Sequence, residues 1–376
     1  MSGTPFVVLA AGGTGGHVFP AEALATELAH RGCRLALVTD KRGGNLRTAP
    51  EGLTVHRVIA AGMAGKSLTA RLRSASELAI GTIQARSLLK RLAPDVVVGF
   101  GGYASAPGVF AAGLIGIPTV IHEQNAVLGR ANRLLGGRAS LIATSFADCG
   151  GVPIALSGRI RRTGMPVRSQ FTVARDAGYA RIADDGPVNL MVFGGSQGAH
   201  FFSEVMPLAV AQLPEVLRRR VSIVQQCRVE DLDAVRQAYL TMGVTAELAT
   251  FFDDIPERMA RAHLVICRSG ASTVAELMVI GRPAILVPYP YAIDNHQIAN
   301  AQAVDETGAG WLMPQGSLSP HSLAARLEAL FIFSPTLTTA ASCARAAGLP
   351  DATKNLADAV FKLLPNGIAE ETRVAA

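Results

Sequence analysis

The chain is short of cysteine, aromatic residues, charge and long apolar runs, and each shortage removes a class of protein. Five cysteines, Cys33, Cys149, Cys227, Cys267 and Cys343, are an odd number at wide spacing. They form no Cys-x-x-Cys pair and have no clustered histidines to complete a zinc set, so a reducing cytoplasm is the expected compartment and no metal is expected. Charged residues are only 17% against 49% hydrophobic ones, which excludes a disordered chain. The first apolar run, Phe6 to Ala11, has no basic region before it and ends at Gly12-Gly13, so a secretory signal is not expected. The stretch 107–121 is broken by Gly108, Gly113, Gly116 and Pro118 and reads as a buried helix followed by a strand, not as a bilayer span. Aromatics are 5% and do not interleave with the basic residues, which argues against nucleic acid as a partner.

What is present points to two domains, because 376 residues exceed what one core usually supports. Short leucine-rich or β-branched runs alternate with helical stretches: Phe6–Ala11, Arg34–Thr39, Val96–Gly99, Thr119–His122 and Leu141–Thr144, then Leu190–Phe193, Val221–Gln225, Ala246–Leu248, Leu264–Cys267 and Ala284–Val287. Such alternation predicts an α/β fold of parallel sheets with helices on both sides. Turn-rich sequence from Gly150 through Gly164-Met165-Pro166, and a polar run to Asp185-Gly186-Pro187, places the joint between halves. The expected plan is two Rossmann-like, doubly wound domains facing a cleft. Residues 1–164 form the first, 165–350 the second, and 351–376 supply a helix returning to the first domain and a polar tail.

Each half opens with a strand, a glycine loop and a helix: Gly12-Gly13-Thr14-Gly15-Gly16-His17 in the first, Gly194-Gly195-Ser196-Gln197-Gly198-Ala199 in the second. A third loop, Ser269-Gly270-Ala271-Ser272-Thr273, follows the run Leu264–Cys267. Glycines let backbone N–H groups approach an anion, and the helix that follows offers unpaired N–H groups, so phosphate or diphosphate is the natural guest. Val18 stands where a dinucleotide fingerprint starting at Gly13 needs glycine, although Asp40 ends the second strand as an NAD enzyme would require. The second loop formally satisfies Gly-x-Ser-x-Gly, the pattern of a hydrolase elbow, but its strand opens a new domain. No Gly-Lys-Ser/Thr follows any loop, which disfavours a Walker-type NTPase. His17, at the entry of the first helix, has the titration range of a proton shuttle. Glu276 has two readings, a ligand for paired ribose hydroxyls or an ordinary exposed helical glutamate, and Asp253-Asp254 reads as a capping pair ahead of a helix.

Between residues 66 and 91, Lys66, Arg71, Arg73, Arg86, Lys90 and Arg91 against Glu77 leave a charge of +5. Leu68, Leu72, Ala79 and Ile83 fall near one helical face, while Leu78, Ile80, Leu88 and Leu89 widen the apolar arc. A basic rim around spare apolar surface suits an anionic membrane; an ordinary core helix with a solvated basic face has the same pattern.

Taken in order, Gly12 to Pro20, Gly101-Gly102-Tyr103, His122-Glu123-Gln124-Asn125, Gly194 to Ala199, Cys267 to Ala271, and Asp294-Asn295-His296-Gln297 with Asn300-Ala301 resemble the signatures of the MurG family. These are the N-acetylglucosaminyltransferases of peptidoglycan synthesis, and the resemblance runs from residue 6 to about 352. It implies a metal-independent, cofactor-free GT-B glycosyltransferase that inverts configuration. UDP-N-acetylglucosamine would be the donor, and the 4-hydroxyl of an undecaprenyl-linked MurNAc-pentapeptide, lipid I, the acceptor. It further implies Ser196 and Arg168 near the diphosphate, Ile255 against uracil, Ala271, Ser272, Thr273, Val274 and Ala275 along the phosphate-binding helix start, Glu276 on ribose and Gln297 on the sugar. Thr14, Gly15, Gly16 and Asn125 would complete the donor site, with His17 as catalytic base and Tyr103, His122 and Glu123 on the acceptor side. The expected location is peripheral, at the cytoplasmic face of a bacterial inner membrane, with cell-wall synthesis proteins as further partners. A related transferase acting on another lipid or small molecule is the alternative. Met165 stands where the family usually has asparagine, residues 62–66 lack a common arginine, and Gln225-Gln226-Cys227-Arg228 departs from the usual His-Gln-Ser/Thr-Gly.

Overall fold

A computed structural model describes residues 4–13, 15–41, 43, 49–60, 68–183, 185–194 and 200–365. The chain divides into two compact units, Met1–Arg168 with Asp351–Ala376, and Ser169–Pro350. The sequence placed this joint at 164/165; the structure places it at 168/169.

The first unit is built on strands β1 (Phe6–Ala10), β2 (Arg34–Thr39), β3 (Thr54–Arg57), β4 (Val96–Gly99), β5 (Thr119–Glu123), β6 (Leu141–Thr144) and β7 (Ile160–Arg162). They form one parallel sheet in the order β3-β2-β1-β4-β5-β6-β7. Its helices are α1 (Gly15–His30), α2 (Leu68–Leu92), α3 (Gly102–Leu114) and α4 (Arg130–Leu135). Side chains alternate along a strand, so Val7 and Leu9 pack with Ala21, Leu24, Ala25 and Leu28 of α1. Phe6, Val8 and Ala10 pack on the other face with Ala85, Leu88 and Leu89 of α2 and Val109 and Ala112 of α3. Burial on both faces is why the central strands read as continuous apolar runs.

The second unit contains β8 (Val188–Phe193), β9 (Val221–Gln226), β10 (Thr245–Ala249), β11 (Leu264–Cys267), β12 (Ala284–Leu286) and β13 (Gly310–Leu312), parallel in the order β10-β9-β8-β11-β12-β13. Its helices are α5 (Ser169–Ala174), α6 (His200–Ala211), α7 (Glu215–Arg218), α8 (Leu232–Thr241), α9 (Ile255–Arg261), α10 (Ala271–Ile280), α11 (His296–Glu306), α12 (Pro320–Ile332) and α13 (Pro335–Ala347). Val188, Leu190 and Val192 bury against Phe202, Val205 and Met206 of α6 and Leu323 and Leu327 of α12. A last helix, α14 (Ala352–Phe361), belongs to the first unit, where Leu356, Ala357 and Val360 join the α1 side of the core.

Three strands escaped the sequence reading: β3, β7 and β13. All are sheet edges, and their residues are largely exposed or half-buried. An edge strand covered on one side needs no apolar run, so its sequence carries no strand signal.

Buried Arg282 shows how the second unit closes helix ends. Its guanidinium donates to the carbonyls of Met259 and Ala260, in the last turn of α9, and to Gly281, the left-handed residue ending α10. Carbonyls left unpaired at helix C-termini attract a cation, which offsets the desolvation that pulls this arginine down to about 10, still charged at neutral pH.

Candidate active site

In both sheets the chain reverses its direction of growth beside the first strand, between β1 and β4 in the first unit and between β8 and β11 in the second. Loops leaving the carboxyl ends of such a pair diverge and open a crevice, the general location of ligands in doubly wound folds. In sequence, the glycine loops directly follow β1 and β8.

In the first unit, β1 leads through Gly12 and Gly13 into α1. A Cβ on Gly12 would stand 2.8 Å from both Ala104 Cβ and Thr39 Oγ1, so only glycine fits where the loop crosses its neighbours. Thr14 lies outside the described residues; Gly15 and Gly16 begin α1, and His17 sits in its first turn. The His17 Nδ1–H donates to the Phe100 carbonyl at 2.8 Å. Because a carbonyl can only accept, the neutral ring carries its lone pair on Nε2. Phe100 directly follows β4, and Gly101 and Gly102 come next at φ 73° and 68°. Those left-handed residues turn the backbone so that Gly102 lies against the imidazole, where a Cβ would be 3.3 Å from Nε2. Tyr103, half-buried, comes next in the first turn of α3.

The carboxyl end of β5 delivers His122, Glu123, Gln124 and Asn125 to the same place. The Glu123 carboxylate is buried and fully engaged: one oxygen accepts from the backbone and side-chain N–H of Asn125, the other from Gly129 N–H and Asn132 Nδ2, both at 2.8 Å. It organises its own loop and presents Asn125. His122 is fully buried; its Nε2–H donates to the Gly164 carbonyl at 2.9 Å and its Nδ1 has no donor. Burial, aided by the nearby His17, pulls its pKa down to about 4. Both side chains therefore hold the loops around them in place. Met165, two residues after Thr163, is buried with the Ser145 hydroxyl 3.7 Å from its sulfur, and Arg168 stacks on Phe19 of α1 at 5.0 Å. That stacking holds a guanidinium beside the first turn that follows the glycine loop.

In the second unit the loop 195–199, with Ser196, lies outside the described residues. After β11, Ser269 is fully buried; its hydroxyl donates to the Gln297 carbonyl at 2.7 Å and its carbonyl accepts from Asn300 Nδ2 at 3.0 Å. Helix α10 starts at Ala271 behind Gly270, with no side-chain cap. The Ser272 hydroxyl beside it is buried without a partner. An uncapped helix start with an unsatisfied hydroxyl is equipped to receive an anion. Thr273 and Val274 complete this turn, and Ala275 and Glu276 follow in the second, with Glu276 8% exposed. Gln297 in the first turn of α11 accepts from Tyr289 N–H at 2.9 Å, leaving its NH2 group as the donor. Ile255 opens α9. Asp254 ahead of it does not cap; its carboxylate takes the Arg258 guanidinium at 2.6 Å, and that bond holds its pKa below the usual carboxylate range.

Arg268 carried no role in the sequence reading. It donates to the Val287 and Pro288 carbonyls and to Gln315, and lies over Phe201, Phe202 and Tyr289. It thus ties α6 to the stretch from Val287 to Tyr289, whose Tyr289 N–H in turn donates to Gln297. Among the described residues no group of three His, Cys, Asp or Glu side chains could hold a metal ion. No single helix among them is long and apolar enough to cross a membrane.

Two doubly wound units, each with its switch point beside its first strand, have the architecture of the GT-B glycosyltransferases. Residues 7–144 match the N-terminal domain of glycosyltransferase family 28 and residues 189–356 its C-terminal domain. The chain is 58% identical to the UDP-N-acetylglucosamine--N-acetylmuramyl-(pentapeptide) pyrophosphoryl-undecaprenol N-acetylglucosamine transferase of Paramagnetospirillum magneticum, over 96% of this chain and 98% of that one. Among solved structures, Acinetobacter baumannii MurG superposes with a TM-score of 0.77 at 31% identity, covering 95% of this chain and 99% of that chain. The glycosyltransferase of kitacinnamycin, with a TM-score of 0.69 over 97% of this chain and 100% of its own, is 17% identical and shares the fold alone. The chain belongs to glycosyltransferase family 28, and within it to the MurG enzymes.

Proposed function

We infer that this enzyme transfers N-acetylglucosamine from UDP-N-acetylglucosamine to the 4-hydroxyl of MurNAc-pentapeptide-pyrophosphoryl-undecaprenol, giving lipid II. The observation that carries the chemistry is the His17 tautomer: Nδ1–H held on the Phe100 carbonyl, lone pair on Nε2. The acceptor O–H gives its proton to Nε2 as its oxygen bonds to the anomeric carbon. The bond from that carbon to UDP breaks on the opposite face, and its electron pair leaves on the diphosphate, inverting configuration. Charge growing on the diphosphate is received by the N-terminal amides of α10, the Ser272 hydroxyl, the Ser196 loop and Arg168. One such donor is worth about 3 kcal/mol in a transition state.

Glu276 takes the ribose hydroxyls, Ile255 the uracil and Gln297 the sugar; Thr14, Gly15, Gly16 and Asn125 complete the donor site. Tyr103 lines the acceptor side with the loop that His122 and Glu123 hold. A polyprenyl-anchored acceptor stays in its bilayer, so the enzyme works as a peripheral protein at the cytoplasmic face, with α2 as the docking element.

Incubation with labelled UDP-N-acetylglucosamine and a lipid I analogue tests the reading. A labelled disaccharide lipid is expected, and His17→Ala should lower turnover by about 10²- to 10⁴-fold with donor affinity kept. No product from the parent enzyme sinks the function; near-normal turnover of the variant sinks the base.

A further inference from the structure

We propose that Gln124 is a positioning residue that fixes the tautomer of His17 through the Phe100 carbonyl. The proposal deepens the reading of His17 as the base and rests on it for its effect on turnover, but the tautomer itself is measured independently.

The Phe100 carbonyl leaves the sheet. Its own N–H still continues the ladder, donating to Ala10 at 3.0 Å, whereas its oxygen accepts two side-chain donors, His17 Nδ1–H at 2.8 Å and Gln124 Nε2–H at 2.7 Å. A carbonyl has two lone pairs, and here each has one donor. The two donors come from different elements, α1 and the end of β5, separated from Phe100 by 83 and 24 residues. Both must be in place for this arrangement to exist.

The need for a second donor follows from what comes next in the chain. Gly101 and Gly102 have no Cβ and sit at positive φ, so the peptide unit between Phe100 and Gly101 faces little steric resistance to rotation. A single imidazole N–H would not hold it. Gln124 is 2% exposed and Phe100 0%, so no solvent competes for the carbonyl. Nor is Gln124 free to drift, because Glu123 before it and Asn125 after it are joined to each other by two hydrogen bonds and Glu123 is tied to Asn132. The buried glutamine thus clamps a flexible peptide unit, and the clamped carbonyl selects the ring nitrogen that keeps its proton.

Without the clamp, the peptide unit turns and the Nδ1–H loses its acceptor. Neutral imidazole in water favours the Nε2–H form, in which the nitrogen needed as base already holds a proton. A histidine in the wrong tautomer is catalytically silent even when the fold is intact. Gln124 touches no reacting atom in this scheme; it acts through Phe100 and His17.

The test uses ¹⁵N-histidine-labelled full-length enzyme, with the His17 signals assigned by their loss in His17→Gln. In the parent enzyme with the His17 ring neutral, the Nδ1–H tautomer is expected; a majority of Nε2–H there overturns the proposal without any variant. Gln124→Met keeps the length of the side chain and removes the donor. It should move His17 toward Nε2–H and lower kcat by about tenfold to a thousandfold, while the Kd for UDP-N-acetylglucosamine measured by calorimetry stays within twofold. In a His17→Ala background the same substitution should cost no further activity, since residues acting as a unit are non-additive. An unshifted tautomer in Gln124→Met, or a full additional loss in the His17→Ala background, overturns the proposal. If the tautomer shifts but His17→Ala is itself fully active, the positioning stands and the base assignment fails.

Discussion

At the scale of single residues, polar side chains near the first glycine loop mostly hold backbone. His122 donates to Gly164 and Glu123 gathers four N–H groups, while Arg168 lies over the Phe19 ring. Burying a carboxylate or an imidazole is tolerated only when each charge or lone pair is satisfied, and Glu123 meets that condition. His122 avoids the buried charge by staying neutral, although its Nδ1 lone pair has no donor. Its pKa of about 4 in the folded protein lies below the ordinary 6.5, so the stability it contributes is complete above pH 6.5. As pH falls from there toward 4, the unfolded chain binds a proton that the native ring refuses, and that stability drains at up to about 1.4 kcal/mol per pH unit. Urea melts at pH 7 and pH 5 check this. His122→Gln should be less stable than the parent at pH 7 yet lose less between the two pH values; parallel losses would remove His122 as a source of the acid sensitivity.

Elements tell a different story, because a helix can serve two surfaces at once. In α2 the residues nearest its carboxyl end, Ala85, Leu88 and Leu89, go into the core. Leu72, Ile80 and Ile83 stay 65%, 47% and 68% exposed, and Arg86, Lys90 and Arg91 are exposed in the same helix. Of the basic residues, Arg73 is partly neutralised by Glu77 at 3.0 Å. Arg71, Lys66 and the loop 62–66 lie where the side chains are not described. Exposed aliphatic side chains beside cations favour insertion at the headgroup level of an anionic bilayer. Replacing Leu72 and Ile83 with Ser and Arg86 and Lys90 with Gln should weaken co-sedimentation with phosphatidylglycerol vesicles by about tenfold or more, at roughly 1 kcal/mol per basic residue before the apolar loss. Undiminished binding would move the dock away from α2.

For the whole molecule, the chain crosses from the first unit to the second near Arg168 and comes back at Asp351. Return is secured by α14, whose Leu356 and Val360, with Leu364 after it, share the core with Leu24 and Leu28 of α1. Arg31 of the segment following α1 pairs with Asp358, and Asn355 Nδ2 donates to the Thr163 carbonyl at 3.4 Å. Deleting residues 352–376 would uncover that side of α1 and forfeit roughly 1.5–3 kcal/mol for each large buried side chain lost. Scanning calorimetry of the truncated chain should therefore show an early transition for the first unit while the second keeps its own. A melting profile superimposable on the parent would refute this account of α14.

Local sequence determined the inner strands, the glycine loops and the division into two α/β units, because burial on both faces writes an apolar run and a tight turn beside a helix demands glycine. It did not determine β3, β7 or β13, whose edge positions relieve them of that pattern, nor the contacts of Gln124 and Arg268, although both lie inside the sequence motifs. Tertiary structure alone decided which carbonyl accepts the His17 Nδ1–H hydrogen bond, that Glu123 turns inward to Asn132, and that Asp254 pairs with Arg258 instead of capping α9. A hydrogen bond depends on distance and direction between groups that folding brings together from far along the chain. Periodicity records only which way a side chain faces, never whom it meets.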